Sequence, residues 1–331
     1  ADRMLGRALR GLPRSECCVV GCVGHDFYHG ERAGAKGFPR FTDPALRAPE
    51  QYADYLALAT ERALERCGIA QFDLLLLHNP DQTGYTSETV WNALAELRSR
   101  GLCARLGVAP GPANGFTLDL IECFERFGEL LDWAMIILNP LEPWPGELCL
   151  EAAARHRVKI LTRVVDCGGL FHDDVKPGHE FAPRDHRTYR PPGWVEAGCA
   201  KLERMRPIAG RHGLSMLQLA CLWNLSQRPV ESVVPTLIAE PAGRPLADKL
   251  RELGGLPALR LSGEEIATIR ALGDNRGCMD LKGASVEHRG AATADRWSPA
   301  RPQLDVAARW GIDPARDLVK TPPPGCGAAA G

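Results

Sequence analysis

The chain lacks any apolar run long enough to span a bilayer, and no charged-then-apolar signal stands at its start. It lacks a charge excess of either sign, with 40 basic against 41 acidic side chains, so no nucleic-acid or membrane-surface partner is signalled. None of its 12 cysteines forms a CxxC pair, which removes the usual zinc and disulfide signatures and suits a reducing cytoplasm. No GxGxxG follows any strand-like segment, so the Rossmann dinucleotide fingerprint is missing. The nearest stretch, VGCVGHD, lacks the third glycine and the helix that must follow.

What is present begins with Gln71–Pro80, QFDLLLLHNP. An unbroken leucine run ends in His78, and turn residues follow. Such a run reads as a strand buried on both faces. His78 then stands at a strand end, which in a parallel α/β barrel is the edge that carries chemistry. A satisfied histidine at a strand end is the equal alternative on the residues alone.

Strand-like and helix-like segments alternate almost throughout. Strands are expected at 17–23, up to His78, and at 104–109, 133–139, 159–165 and 231–238, with helices at 1–10, 49–67, 87–100, 117–127, 146–156, 194–212, 215–226 and 245–253. Repeated βα units build a parallel sheet, open or closed. A long loop runs from Asp166 to Gly193, far beyond the usual short connection. Two parts are expected. Residues 1–258 form the α/β barrel-like part. Residues 259–331 add a helix at 262–273, capped by Ser262 and Glu265, then an irregular tail with a small helix near 304–310 and a disordered end, TPPPGCGAAAG.

The segments LGRALRG, ATERALERCGIAQFDLLLLHNPD, VWNALAELRSRGLCARLGVA and GLSMLQLACLWNLSQRPVESVVPT, in this order, resemble the aldo/keto reductase family. The resemblance implies a (β/α)8 TIM-type barrel that transfers hydride between a nicotinamide cofactor, usually NADP(H), and a small carbonyl substrate. Its site would hold Asp, Tyr, Lys and His. Of these only His78 carries over. Cys22 stands at the lysine position, and a thiol brings no positive charge to lower a neighbour's pKa. The family's Asp and Tyr precede the LGRAL helix and have no counterpart in this chain. The Ser-Asn pair that grips the nicotinamide amide is here Ala109-Pro110, whose side chains form no hydrogen bond.

Other cofactor positions survive in altered form. Asp166, Gly168, Gly169 and Leu170 match the loop that wraps the pyrophosphate, where glycines allow close backbone approach. Pro235-Thr236 match the family's Pro-Gly, and Arg244 and Lys249 lie where it meets the adenosine 2′-phosphate. Asn139 remains as a polar neighbour of the cofactor and Trp144, with Cys22, of the substrate. An ordinary Gly-Gly turn and a solvated charged helix face are the competing readings.

Two histidine-rich loops compete for roles. His25, Asp26, Tyr28 and His29 follow the first strand, so they should share the rim of His78, and Tyr28 or His25 is the candidate for the vacant proton-donating role, with an ordinary polar strand-exit loop as the alternative. His172, Asp173, Asp174, His179, Asp185 and His186 could bind a metal but match no compact metal signature, so a mobile lid or partly disordered loop is the expected reading. Trp144, Phe171, Tyr189 and Trp194 are candidates for an apolar mouth.

Six strands are expected where closure of this barrel type takes eight. Truncation ahead of Ala1, an open six-stranded form and cover by a second copy are the three explanations. An NADP(H)-linked aldo/keto reductase-like oxidoreductase with an atypical site is the leading expectation. A non-catalytic nucleotide- or metabolite-binding barrel, or a barrel enzyme of other chemistry, is the alternative. Substrate identity and oligomeric state are not legible.

Overall fold

A computed structural model describes residues 1–32, 37–111, 116–183, 185–190, 193–241, 243–275 and 300–318. Its strands are β1 (Val20–Val23), β2 (Leu74–His78), β3 (Leu106–Ala109), β4 (Trp133–Ile137), β5 (Lys159–Arg163) and β6 (Val230–Val234). They form one six-stranded parallel sheet in sequence order, the arrangement that successive βα units produce. The helices are α1 (Asp2–Ala8), α2 (Tyr52–Cys67), α3 (Gln82–Thr86), α4 (Glu88–Ser99), α5 (Phe116–Phe127), α6 (Leu150–Arg155), α7 (Trp194–Arg211), α8 (Met216–Leu225), α9 (Leu246–Gly254), α10 (Gly263–Gly273), α11 (Arg301–Arg309) and α12 (Pro314–Asp317).

Each expected strand forms within its expected range, trimmed at the ends, except that β6 starts one residue earlier. Helix α3 had no forecast; it starts because the Asp81 carboxylate accepts the Gly84 N–H. The forecast low-complexity end at 321–331 and much of the irregular tail lie outside the described residues, as does most of the Pro/Gly segment after β3.

The chain divides into two compact units. The first comprises Ala1–Gly111, Asp119–Met135 and Arg155–Lys159; the second comprises Pro112–Leu118, Ile136–Ala154 and Ile160–Gly331.

In the first unit, the leucines of β2 are 0–5% exposed, as a strand covered on both faces must be. Alternation sends Leu74 and Leu76 to one face, where they pack with Ala109, Val20, Trp133 and Met135. Helix α2 buries Tyr52, Tyr55, Leu56, Ala59, Ala63 and Leu64 along one stripe. It stops at Gly68, whose left-handed backbone (φ 67°) lets its N–H reach the carbonyls of Leu64 and Glu65. In the second unit, α8 is apolar nearly all round and almost wholly buried. Ser215 and Gln218 close a capping box at its start, and Ser262 and Glu265 do the same for α10.

Candidate functional site

In the first unit, strand register builds the candidate centre. Val23 of β1 pairs with Leu77 of β2, and His78 pairs with Ala109 of β3. The chain leaves β1 at Gly24 directly beside His78. A Cβ on Gly24 would fall inside van der Waals contact of the His78 carbonyl oxygen, so only glycine permits this exit. The next residue, His25, is thereby laid against His78. The two imidazole centroids are 5.6 Å apart, with the rings tilted by 55°. Both rings are half-buried.

The loop behind His25 is tightly fixed. Asp26 is 0% exposed, forms an ion pair with Arg47, and accepts the N–H groups of Tyr28 and His29, each at 2.8 Å. Burial raises the carboxyl of Asp26, but these donors outweigh it and hold the carboxyl below its ordinary range. The Arg47 guanidinium lies 4.1 Å from the centroid of Tyr55, and the Tyr55 hydroxyl donates to the His25 carbonyl at 2.7 Å. His25 also forms a backbone bridge with Arg40, whose Nε donates to the Asn79 carbonyl at 2.6 Å. Burial, and then the charge of Arg40, lower the pKa of His25, so its ring is neutral at pH 7.

Tyr28 is carried elsewhere. Its hydroxyl accepts a hydrogen bond from Arg66, near the C-terminus of α2, at 2.8 Å. Cys22 is exposed on β1, paired in register with Leu76.

In the second unit, Asp166 organises the glycine turn. It is 0% exposed, and its carboxylate accepts the N–H groups of Gly169 at 3.0 Å and Thr236 at 2.7 Å. Gly168 and Gly169 have φ of 65° and 99°, and a Cβ on Gly169 would stand 2.9 Å from Val175 Cγ2. Leu170 is buried beneath the turn, and Pro235 leads into Thr236.

Three cations of this unit each hold at least one carboxylate. Arg187 donates to the Gly168 carbonyl and pairs with Asp185 and Glu240. Lys249 is 0% exposed, paired with Asp174 and donating to the Ile238 carbonyl, so its helix position is not a solvated one. Arg244 pairs with Glu252 at 2.7 Å and lies 4.0 Å from Asp174. His172 Nε2 is 2.9 Å from the Thr236 carbonyl, which can only accept, so Nε2 carries the proton. Its Nδ1 is then a buried acceptor without a hydrogen-bond partner among the described residues.

Asp174 and Asp185 of the long loop thus pair with cations, and Asp173 does so with Lys176 and Arg206. Among the described residues no three His, Cys, Asp or Glu side chains gather closely enough for a metal. Asn139 uses both amide hydrogens and its oxygen internally, on Glu142, Val164 and Leu141. Trp144 is 1% exposed, with its backbone on Asn275 and its indole N–H on the Asp317 carbonyl. Phe171 and Trp194 are core residues, and the side chain of Tyr189 lies outside the described set.

The sequence names His25, His78 and the glycine turn as candidates, and the structure sets His25 against His78 and folds the glycine turn around Asp166. Sequence reasoning missed Arg40, Arg47 and Arg187, whose positions follow from loop folding and leave no local pattern.

The aldo/keto reductase family profile matches residues 43–273. The chain belongs to this family of oxidoreductases. No curated protein sequence matches it. Among solved structures it is similar to a glycerol dehydrogenase from Gluconobacter oxydans, at 21% identity over 82% of this chain and 76% of that one, with a TM-score of 0.63. It is also similar to an aldo-keto reductase from Bacillus halodurans, in its holo form, at 18% identity over 87% and 81%, with a TM-score of 0.54. An aldo/keto reductase from Klebsiella pneumoniae, solved with NADP and acetate, gives 17% identity over 82% and 75% and a TM-score of 0.54. At these identities the likeness concerns the fold.

Proposed function

We propose that this aldo/keto reductase transfers hydride between NADP(H) and a small carbonyl or alcohol substrate, using His78 to orient the substrate oxygen and His25 to exchange its proton. The observation that carries the reading is the approach of two half-buried imidazoles at the C-terminal edge of β1 and β2. A ring N–H on His78 polarises an oxygen without carrying charge. His25, neutral at pH 7, is already a base, so alcohol oxidation matches its resting state. Carbonyl reduction needs the protonated ring and gains as pH falls.

NADP(H), when bound, supplies or accepts the hydride. The Klebsiella relative was solved with NADP. The residues of the second unit have the chemistry to hold its phosphates. Arg187 and Arg244 offer guanidinium donors, and His172 Nδ1, without a hydrogen-bond partner among the described residues, suits a hydroxyl donor. Binding there exchanges internal carboxylate partners for phosphate oxygens. Ala109 and Pro110 add no side-chain hydrogen bond for a nicotinamide amide.

The test is nicotinamide absorbance with NADP+ and a panel of alcohols, and with NADPH and a panel of aldehydes. Turnover in the natural chain that is lost in both His25→Asn and His78→Asn is expected; turnover unchanged in both variants sinks the proposal. A second reading, nucleotide binding without chemistry, draws support from Ala109 and Pro110. Tight NADPH binding by fluorescence, with no oxidation by any aldehyde, would select it.

A further inference from the structure

The histidine pair has a cation beside it that no sequence motif announces. Arg40 reaches both partners at once. Its backbone forms an antiparallel bridge with His25, and its guanidinium donates to the carbonyl of Asn79, the residue that follows His78. Asn79 turns this carbonyl with a left-handed backbone, φ 49°, a conformation asparagine tolerates better than most residues. Among the described residues Arg40 makes no ion pair, whereas the carboxylate of Asp26 is paired with Arg47. The positive charge of Arg40 is left unneutralised at the pair.

We propose that Arg40 is a positioning residue of the histidine pair, holding both strand exits in register and keeping beside them a positive charge that disfavours protonation of His25. The inference rests on the reading of His25 and His78 as the proton-handling site. The groups facing His25 are Arg40 from its own loop, His78 from β2, Tyr55 from α2, and the Asp26–Arg47 pair with His29 behind it. Tyr55 stays protonated, since burial pushes its hydroxyl up, and Arg47 offsets the charge of Asp26. Arg40 is therefore the cation with an uncompensated effect on the ring. Removing it makes the imidazolium easier to form.

Proton NMR of the imidazole C–H signals reads this in the full chain without any substrate, with His25→Asn assigning the resonance. In Arg40→Gln the amide can still donate to the Asn79 carbonyl while the charge is gone. The His25 titration midpoint is expected to move to higher pH in that variant and to stay near its original position in Arg40→Lys. Salt should raise the midpoint of the natural protein by screening Arg40, and should have little effect on Arg40→Gln. An unchanged midpoint in folded Arg40→Gln overturns the inference. Should Arg40→Gln not fold, a salt-insensitive midpoint in the natural protein overturns it instead. A shifted midpoint in a protein that turns nothing over would keep the role of Arg40 and reject the oxidoreductase reading. Where turnover exists, the low-pH limb of alcohol oxidation moves upward in the same variant.

Discussion

Arg40, beside the histidine pair, makes no ion pair among the described residues; Arg187, Arg244 and Lys249, in the second unit, each hold at least one carboxylate. Even the N–H groups of Gly169 and Thr236 are occupied by Asp166. In the proposed mechanism the first region keeps its positive charge beside a group that changes protonation. The second has spent its charges on internal partners, which a ligand anion has to displace. A cation that trades one oxyanion for another stays partnered throughout, so affinity there is a difference between two sets of hydrogen bonds rather than the sum of the new ones. Substitutions in the two regions should therefore act on different kinetic quantities.

The largest effect is expected at the histidines. Replacing His25 and His78 together by asparagine should lower kcat about 10²–10⁴-fold, the usual worth of a positioned acid–base group, with the double variant little worse than the more damaging single one. Arg187→Met should instead raise KM for NADP(H) and leave kcat nearly unchanged. Steady-state kinetics on the two single histidine variants, their double and Arg187→Met checks this. An Arg187→Met variant that loses kcat at constant KM would erase the distinction between the two regions.

That distinction was only half legible in the sequence. LLLLH announced a doubly buried strand ending in a histidine, because burial on both faces removes the polar alternation that a half-exposed strand shows. Gly168-Gly169 stood out because two adjacent glycines mark an unusual backbone. Tyr28 and His25 could not be separated, since loop residues three apart share no fixed direction. The fold sends the Tyr28 hydroxyl to Arg66 and leaves His25 against His78. Lys249 could be read as a phosphate-binding cation or as part of a solvated helix face, and nothing local reveals that Asp174 meets it from a distant loop.

The internal pairs of the second region invite a stability test of intermediate size. Lys249→Met leaves Asp174 without its buried cation and should cost about 3–5 kcal/mol, visible as a lower urea midpoint. The double variant Lys249→Met with Asp174→Leu removes both charges and should recover most of that loss. Recovery would show that the pair is maintained at a desolvation cost, as befits partners that a ligand can replace. A double variant as unstable as the single one would mean that the two side chains matter for packing instead, and the contrast with Arg40 would then be one of shape rather than charge.

The smallest effect belongs to a pair nearer the solvent, which calibrates the other two. Glu265 accepts from His212 at 2.8 Å, from the Ser262 N–H and hydroxyl, and from Arg211, and these donors, His212 foremost, hold its carboxyl down to about 2 against an ordinary value of 4.5. The folded value lies below the unfolded one. The stabilisation is therefore complete above pH 4.5 and fades as pH falls toward 2, where both states bind the proton. With solvent screening allowed for, its size is about 1 kcal/mol. Glu265→Gln should lower the thermal midpoint slightly at pH 7, and the gap to the natural protein should close across that acid window. A gap that stays constant down to pH 2 would assign the effect to the capping geometry at the start of α10, which the amide also alters, and not to the carboxylate charge.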